Sequence, residues 1–224
     1  LNLRHFFVTG TGTDIGKTYV TAGLIRAVSE AGGTIDALKP VMSGFDLGRA
    51  EQSDAGILLA ALRRSVDEAN LAAISPWRFT APLAPDLAAR QEKRVLEYKA
   101  VRSFCAQRLA AIKDHVLLEG VGGILSPIAE SMPSLRLAAD LGVPALLVCG
   151  TYLGALSHCL TAIETAKAWG VPIEAVIANE TPGAPLPLAV FCAHMAEFTQ
   201  ARIFPLGRED ATPFSALARE LGLC

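Results

Sequence analysis

Val8-Thr9-Gly10-Thr11-Gly12-Thr13-Asp14-Ile15-Gly16-Lys17-Thr18 is the stretch that decides the architecture of this chain. An apolar run, His5–Thr9, leads straight into it, and a helical pattern, Lys17–Ala31, leads out. Strand, glycine-rich turn, Gly-Lys-Thr and helix, in that order, are what a phosphate-binding loop requires. Small residues let backbone N–H groups converge on phosphate oxygens, and the helix N-terminus adds its dipole. Lys17 is then placed to neutralise β/γ-phosphates and the Thr18 hydroxyl to ligate Mg²⁺. The strict Gly-x4-Gly-Lys-Thr spacing is not met, because the first glycine slot holds Thr11, with Gly10 one residue earlier. Partitioning and division-site switch ATPases carry a second lysine early in this loop; Gly12 and Thr13 occupy those positions here, which weighs against a switch.

Outward from the loop, short apolar runs alternate with helical patterns to the end of the chain. The expected strands are His5–Thr9, Ile35–Pro40, His115–Glu119, Pro144–Cys149, Glu174–Asn179 and Ala201–Pro205. Runs such as Val116-Leu117-Leu118 and Ala145-Leu146-Leu147-Val148 suit strands buried on both faces of a parallel sheet. Helical patterns cover Lys17–Ala31, Ser53–Leu62, Gln91–Ile112, Pro133–Leu141, Gly154–Gly170, Leu186–Thr199 and Pro213–Leu221, whereas Ser75–Pro85 reads as an irregular excursion. The expected class is α/β, a P-loop NTPase-type fold with a largely parallel central sheet and helices on both faces, in one domain over residues 1–224. In such sheets ligands bind beyond the carboxyl ends of the strands.

Composition narrows the function. The chain has 224 residues, 51% hydrophobic and 19% charged, with formal charge −2, which excludes a disordered protein and leaves no basic field for nucleic acid. No apolar run reaches the 18 or so residues of a bilayer span, and the opening residues do not read as a signal peptide. Cys105, Cys149, Cys159, Cys192 and Cys224 form an odd set without a Cys-x-x-Cys pair. They read as reduced thiols in a cytoplasmic protein, and no zinc site is expected.

The remaining strand ends supply candidate chemistry. Lys39 ends the second strand in Lys39-Pro40-Val41-Met42-Ser43-Gly44, on the same rim as Lys17. Ser53 or Asp54 caps the following helix, and Asp54 is a candidate second carboxylate. Glu119 ends an aliphatic strand before Gly120-Val121-Gly122-Gly123; a carboxylate there needs a cation or hydrogen bonds, and in a nucleotide enzyme Mg²⁺ with oxygen ligands is the natural cation. Asn179, at the end of the fifth strand, has an amide able to pair with an adenine edge, while Gly154 to His158 begins a helix with free N–H groups.

Taken together, these segments resemble the dethiobiotin synthetases of biotin biosynthesis. The matching pieces are the loop Val8–Thr18, Lys39-Pro40-Val41-x-Ser43-Gly44, Ser53-Asp54-Ala55, Glu119 to Gly123, Gly154-x-x-x-His158 and Ala178-Asn179, in the family's order over residues 5–181. The resemblance implies an ATP-dependent cyclo-ligase. A 7,8-diaminononanoate amine captures CO₂ as a carbamate, ATP phosphorylates it, and the second amine closes the cyclic urea, giving dethiobiotin, ADP and phosphate. It further implies Lys39 and Lys17 as catalytic residues. Asp14, Ile15, Gly16, Lys17, Thr18, Tyr19, Asp54, Glu119, Gly120, Val121, Gly122, Asn179 and Glu180 would line ATP. Thr11, Lys39, Ser43, Gly154 and Ser157 would hold the diamine, and Thr18, Asp54 and Glu119 would hold Mg²⁺. The family is similar in being a homodimer with the substrate across the interface. The chain departs from it at Pro205-Leu206-Gly207, where Leu-Gly-x-Ile-Pro is usual, and at Asp86, where histidine is frequent. The competing readings are a switch ATPase and a related ATP-dependent amide-forming ligase acting on a corrinoid carboxylate. Such ligases usually carry a glutaminase domain, for which this length leaves no room.

Overall fold

The computed structural model describes residues 3–130, 132–208 and 212–224, without the Thr212 side chain. Six strands form the main sheet: β1 (His5–Gly10), β2 (Ile35–Leu38), β3 (His115–Glu119), β4 (Ala145–Cys149), β5 (Ile173–Asn179) and β6 (Ile203–Leu206). Their spatial order is β6-β5-β4-β1-β3-β2, and every neighbouring pair is parallel. The aliphatic runs of β3 and β4 are buried throughout, as strands covered on both faces must be.

The helices are α1 (Lys17–Glu30), α2 (Asp54–Ala61), α3 (Glu68–Ile74), α4 (Pro85–Gln91), α5 (Tyr98–Ala111), α6 (Ser134–Leu141), α7 (Ala155–Ala168), α8 (Leu188–Ala196) and α9 (Thr212–Glu220). The crossover from β1 to β2 runs one way along the sheet, and those from β2 through β6 run the other. With right-handed connections, α1 therefore covers one face and α5 to α8 the opposite one. α9 returns to pack on α1, where Phe214 lies against Gly23, a contact with no space for a Cβ.

Three expectations need correction. Ser75–Pro85 is not wholly irregular: Trp77–Arg78 pairs with Val41–Met42 in a short parallel ribbon, and Pro85 opens α4. The helix expected over Gln91–Ile112 starts only at Tyr98, because α4 ends at Gln91 and Lys93 takes a left-handed conformation with φ 54°. The helix α3 was not anticipated; the Asp67 carboxylate caps it by accepting from Asn70 N at 2.9 Å.

The order of the sheet positions the site. The chain leaves β3 and crosses β1 to reach β4, so the switch point lies at the carboxyl ends of β1 and β3. Val8 stands opposite Glu119, and Gly120 N donates to Val8 O at 2.9 Å. Thr11 N donates to Val148 O at 3.0 Å, so the loop after β1 is held from both flanks.

Candidate active site

The loop after β1 has the conformation that its glycines allow. Gly16 caps α1 at φ 99°, and Asp14 occupies the left-handed region at φ 56°, where a short polar side chain is tolerated. The Asn179 amide nitrogen donates to Ile15 O at 2.9 Å. A Cβ on Gly16 would come within 2.2 Å of that same nitrogen, so only glycine fits there. Lys17 folds back over the loop and donates to Gly12 O at 2.7 Å.

Lys39 lies one residue past β2, its N–H donating to Ile74 O at 3.0 Å. The side chain is 2% exposed. Its ammonium donates to Glu119 Oε1 at 2.7 Å and to Gly120 O at 3.0 Å, and it pairs with Asp54 Oδ2 at 2.8 Å. Asp54 is free to do this because Ser53, not Asp54, caps α2, its Oγ accepting from Gly56 N at 3.1 Å. The Thr18 hydroxyl faces Asp54 Oδ1 at 2.9 Å and Glu119 Oε1 at 2.8 Å. A hydroxyl has one proton, so it satisfies only one of these acceptors at a time. Glu119 Oε2 is buried and has no protein partner.

Two carboxylates and a hydroxyl thus converge with more acceptor than donor capacity, the balance that suits a hard divalent cation. Among the described residues no group of three His, Cys, Asp or Glu side chains is close enough to form a cation site alone. Thr18, Asp54 and Glu119 therefore fit Mg²⁺ that brings phosphate oxygens as further ligands.

Electrostatics tie the two lysines together. Burial, with repulsion from Lys39 added, lowers the Lys17 pKa to about 8, although Glu119, Asp54 and Asp14 pull the other way. For Lys39 burial also disfavours the charge, but the Glu119 and Asp54 carboxylates outweigh it and hold the ammonium firmly protonated. Burial likewise opposes ionisation of Asp54, and the Lys39 ammonium reverses this, so its carboxyl lies below the usual range.

Lys17, Thr18, Tyr19, Lys39, Ser43, Asp54, Val121 and Gly122 line one cleft of about 460 Å³, together with Asp14 and Gly16. Met42, Gly44 and Gln52 line it as well. Met42 and Gly44 belong to the Lys39–Gly44 segment singled out from sequence but were not named as site residues, and Gln52 adjoins Ser53-Asp54. Thr11 faces a second depression of about 490 Å³ across the loop, bordered by Gly123 to Ser126 and by His158 and Thr161 of α7. Gly154 and Ser157, exposed at the start of α7, line neither cleft. Asn179 holds the loop from behind, and Glu180 accepts from Arg208 N at 3.3 Å. A larger depression of about 1000 Å³ lies at the amino end of the sheet around Arg4 and His115, away from these groups.

Comparison with known proteins accords with this geometry. A family model described as an AAA domain matches residues 4–206. Solved structures share the fold at low identity. A ParA family ATPase from Chlorobium tepidum superposes with a TM-score of 0.57 at 15% identity, covering 97% of this chain and 91% of that one. The septum site-determining protein MinD from Pyrococcus horikoshii gives 0.54 at 17%, covering 99% and 85%. Sequence relatives are far closer. The ATP-dependent dethiobiotin synthetase of Methylobacterium nodulans is 45% identical over 220 residues, 96% of this chain and 98% of the relative. That of Phenylobacterium zucineum is 48% identical over 186 residues, covering 82% and 80%. A phosphate-binding loop on a parallel sheet, with a second lysine and two carboxylates at its mouth, thus comes with close similarity along nearly the whole chain: the protein belongs to the dethiobiotin synthetase family.

Proposed function

We propose that the protein is an ATP-dependent dethiobiotin synthase that carboxylates 7,8-diaminononanoate and closes the product to a cyclic urea. The observation that carries the reading is the approach of Lys17 and Lys39 to one cleft beside Thr18, Asp54 and Glu119. One diamine nitrogen attacks CO₂ to give a carbamate and a proton. A carbamate oxygen then takes the γ-phosphoryl group of ATP, and ADP leaves. The second amine attacks the carbonyl, expels phosphate and loses a proton.

The carbamate, the γ-phosphate and the mixed anhydride are all anionic, so two ammonium groups stabilise charge that builds during transfer. Lys17 releases Gly12 O and turns to the β/γ-phosphates, while Lys39, locked by Glu119 and Asp54, presents a fixed charge to the carbamate side near Ser43. Thr18, Asp54 and Glu119 hold Mg²⁺, which supplies charge neutralisation on the nucleotide when bound. Asp14 to Tyr19 and Gly120 to Gly122 line ATP. Asn179 and Glu180 stand on the purine side, with Asn179 also securing the loop. Thr11 contacts the diamine, and Gly154 to Ser157 receive its carboxylate from a partner copy in a homodimer. Exposed Leu153 beside that segment, at 88% exposure, supports a face covered on association. The free thiols support a cytoplasmic setting. No helix among the described residues is long and apolar enough to cross a membrane.

The test is direct. Protein with Mg·ATP, bicarbonate and 7,8-diaminononanoate should release ADP and dethiobiotin in equal amounts. ATP hydrolysis independent of the diamine, with no dethiobiotin, would replace this reading with that of a nucleotide switch.

A further inference from the structure

Cys149 and Ala178 are the last paired residues of β4 and β5, and no β4–β5 ladder pair follows them. Two threonines take over. Thr151 N donates to Thr181 Oγ1 at 2.9 Å, and Thr181 N donates to Thr151 Oγ1 at 3.0 Å. Thr151 is 1% exposed, so its N–H has no recourse to water if the partner oxygen is lost. The approach is close enough that a Cβ on Gly150 would lie 2.7 Å from Thr181 Oγ1.

The place of this clasp gives it significance. Two residues before Thr181 is Asn179, whose amide holds the phosphate loop at Ile15 O. Three residues after Thr151 is Gly154, which turns at φ 94° into α7. We infer that Thr151 and Thr181 are a positioning pair that fixes the first turn of α7 relative to the phosphate loop. Across the proposed homodimer interface, the pair thereby helps to set the spacing between the carboxylate end of a diamine, held by α7 of one copy, and its reacting end in the cleft of the other. This inference rests on the proposed function for the nature of the ligand, but the clasp itself is a property of the fold.

Thr151→Val and Thr181→Val keep the shape and remove the accepting oxygen, whereas Thr151→Ser and Thr181→Ser retain it. Each valine variant should raise the diamine KM about tenfold while the ATP KM stays within about twofold, and serine should restore the original value. Amide hydrogen exchange at Ala155 and His158, whose N–H groups donate to Tyr152 O and Gly154 O, should quicken about tenfold in the valine variants and not in the serine ones. Equal effects of valine and serine, or a parallel rise in both KM values, would overturn the pair's role. If Thr151→Val does not fold, Thr181→Val at its less buried position decides. Should the unaltered protein not consume the diamine, the functional reading fails by itself. The exchange rates then decide the clasp alone, and unchanged rates in the valine variants would sink it.

Discussion

Lys39 and Glu119 illustrate how a catalytic arrangement and a folding liability coincide. Both side chains are almost fully buried and pair at 2.7 Å, so removing either leaves a charge stranded in a low-dielectric site. Lys39→Ala should therefore lower stability by about 3–5 kcal/mol in urea unfolding, besides reducing turnover by about 10²–10³-fold. The Glu119 contact makes both effects large. Lys39→Met combined with Glu119→Gln should recover most of the stability and none of the activity. A double variant as unstable as the single one would refute the pairing argument. Lys17 carries a different signature. Its pKa of about 8 in the free protein rises when an anionic triphosphate binds, so the protein takes up a proton on binding ATP above pH 8. Affinity should then fall as pH rises through that value, and calorimetry at about pH 8.5 in two buffers of different ionisation enthalpy should read the uptake. The sign for folding is opposite. Between about 8 and the ordinary 10.5, the unfolded chain holds a proton that the fold rejects, so the Lys17 contribution to stability increases with pH.

At the scale of elements, the site depends on where helices begin. Ser53 takes the capping role in α2, which leaves Asp54 at the first helical position with its carboxylate turned to Thr18 and Lys39. Ser53→Ala should cost about 1 kcal/mol in unfolding experiments and loosen Asp54. The start of α1 is more constrained. Gly16→Ala meets both a left-handed backbone and the Asn179 amide, so it should weaken nucleotide binding by about 1–3 kcal/mol, or about 5- to 150-fold, as read by fluorescent-nucleotide titration. A variant that binds normally would show that the loop has room the close approach denies it. Much of this was legible in the chain. The phosphate loop, the six strands and the helix starts near Lys17, Ser53 and Gly154 follow from apolar runs and capping residues. The segment from Ser75 to Glu97 was not, because it is organised by distant partners. Its ribbon exists through pairing with Val41–Met42, and Glu92 accepts from Ala81 N at 3.3 Å. Neither contact leaves a period in the local sequence.

For the whole molecule, the last helix closes the layer that begins with α1. Phe214 is buried against Gly23 and stands edge-on to Tyr19, with ring centroids 5.5 Å apart. Phe214→Ala should cost about 3–5 kcal/mol of stability, measured by denaturant unfolding, because it empties a buried aromatic site between α9 and α1. A cost below about 1 kcal/mol would mean that α9 merely rests on the surface. The amino-acid sequence by itself determined that an alternating strand and helix chain carries phosphate-binding chemistry after its first strand. Hydrophobic period, glycine placement and the Gly-Lys-Thr run are local properties of consecutive residues. Only the tertiary structure decided which distant groups meet. That Lys39 bonds Glu119 and Asp54, that Asn179 holds Ile15, and that Thr151 and Thr181 serve each other all follow from the strand order, with β2 beside β3, β1 between β3 and β4, and β5 beside β4. Strand order is set by the joint burial of every strand and helix face, a sum over the whole chain that no single stretch of residues contains.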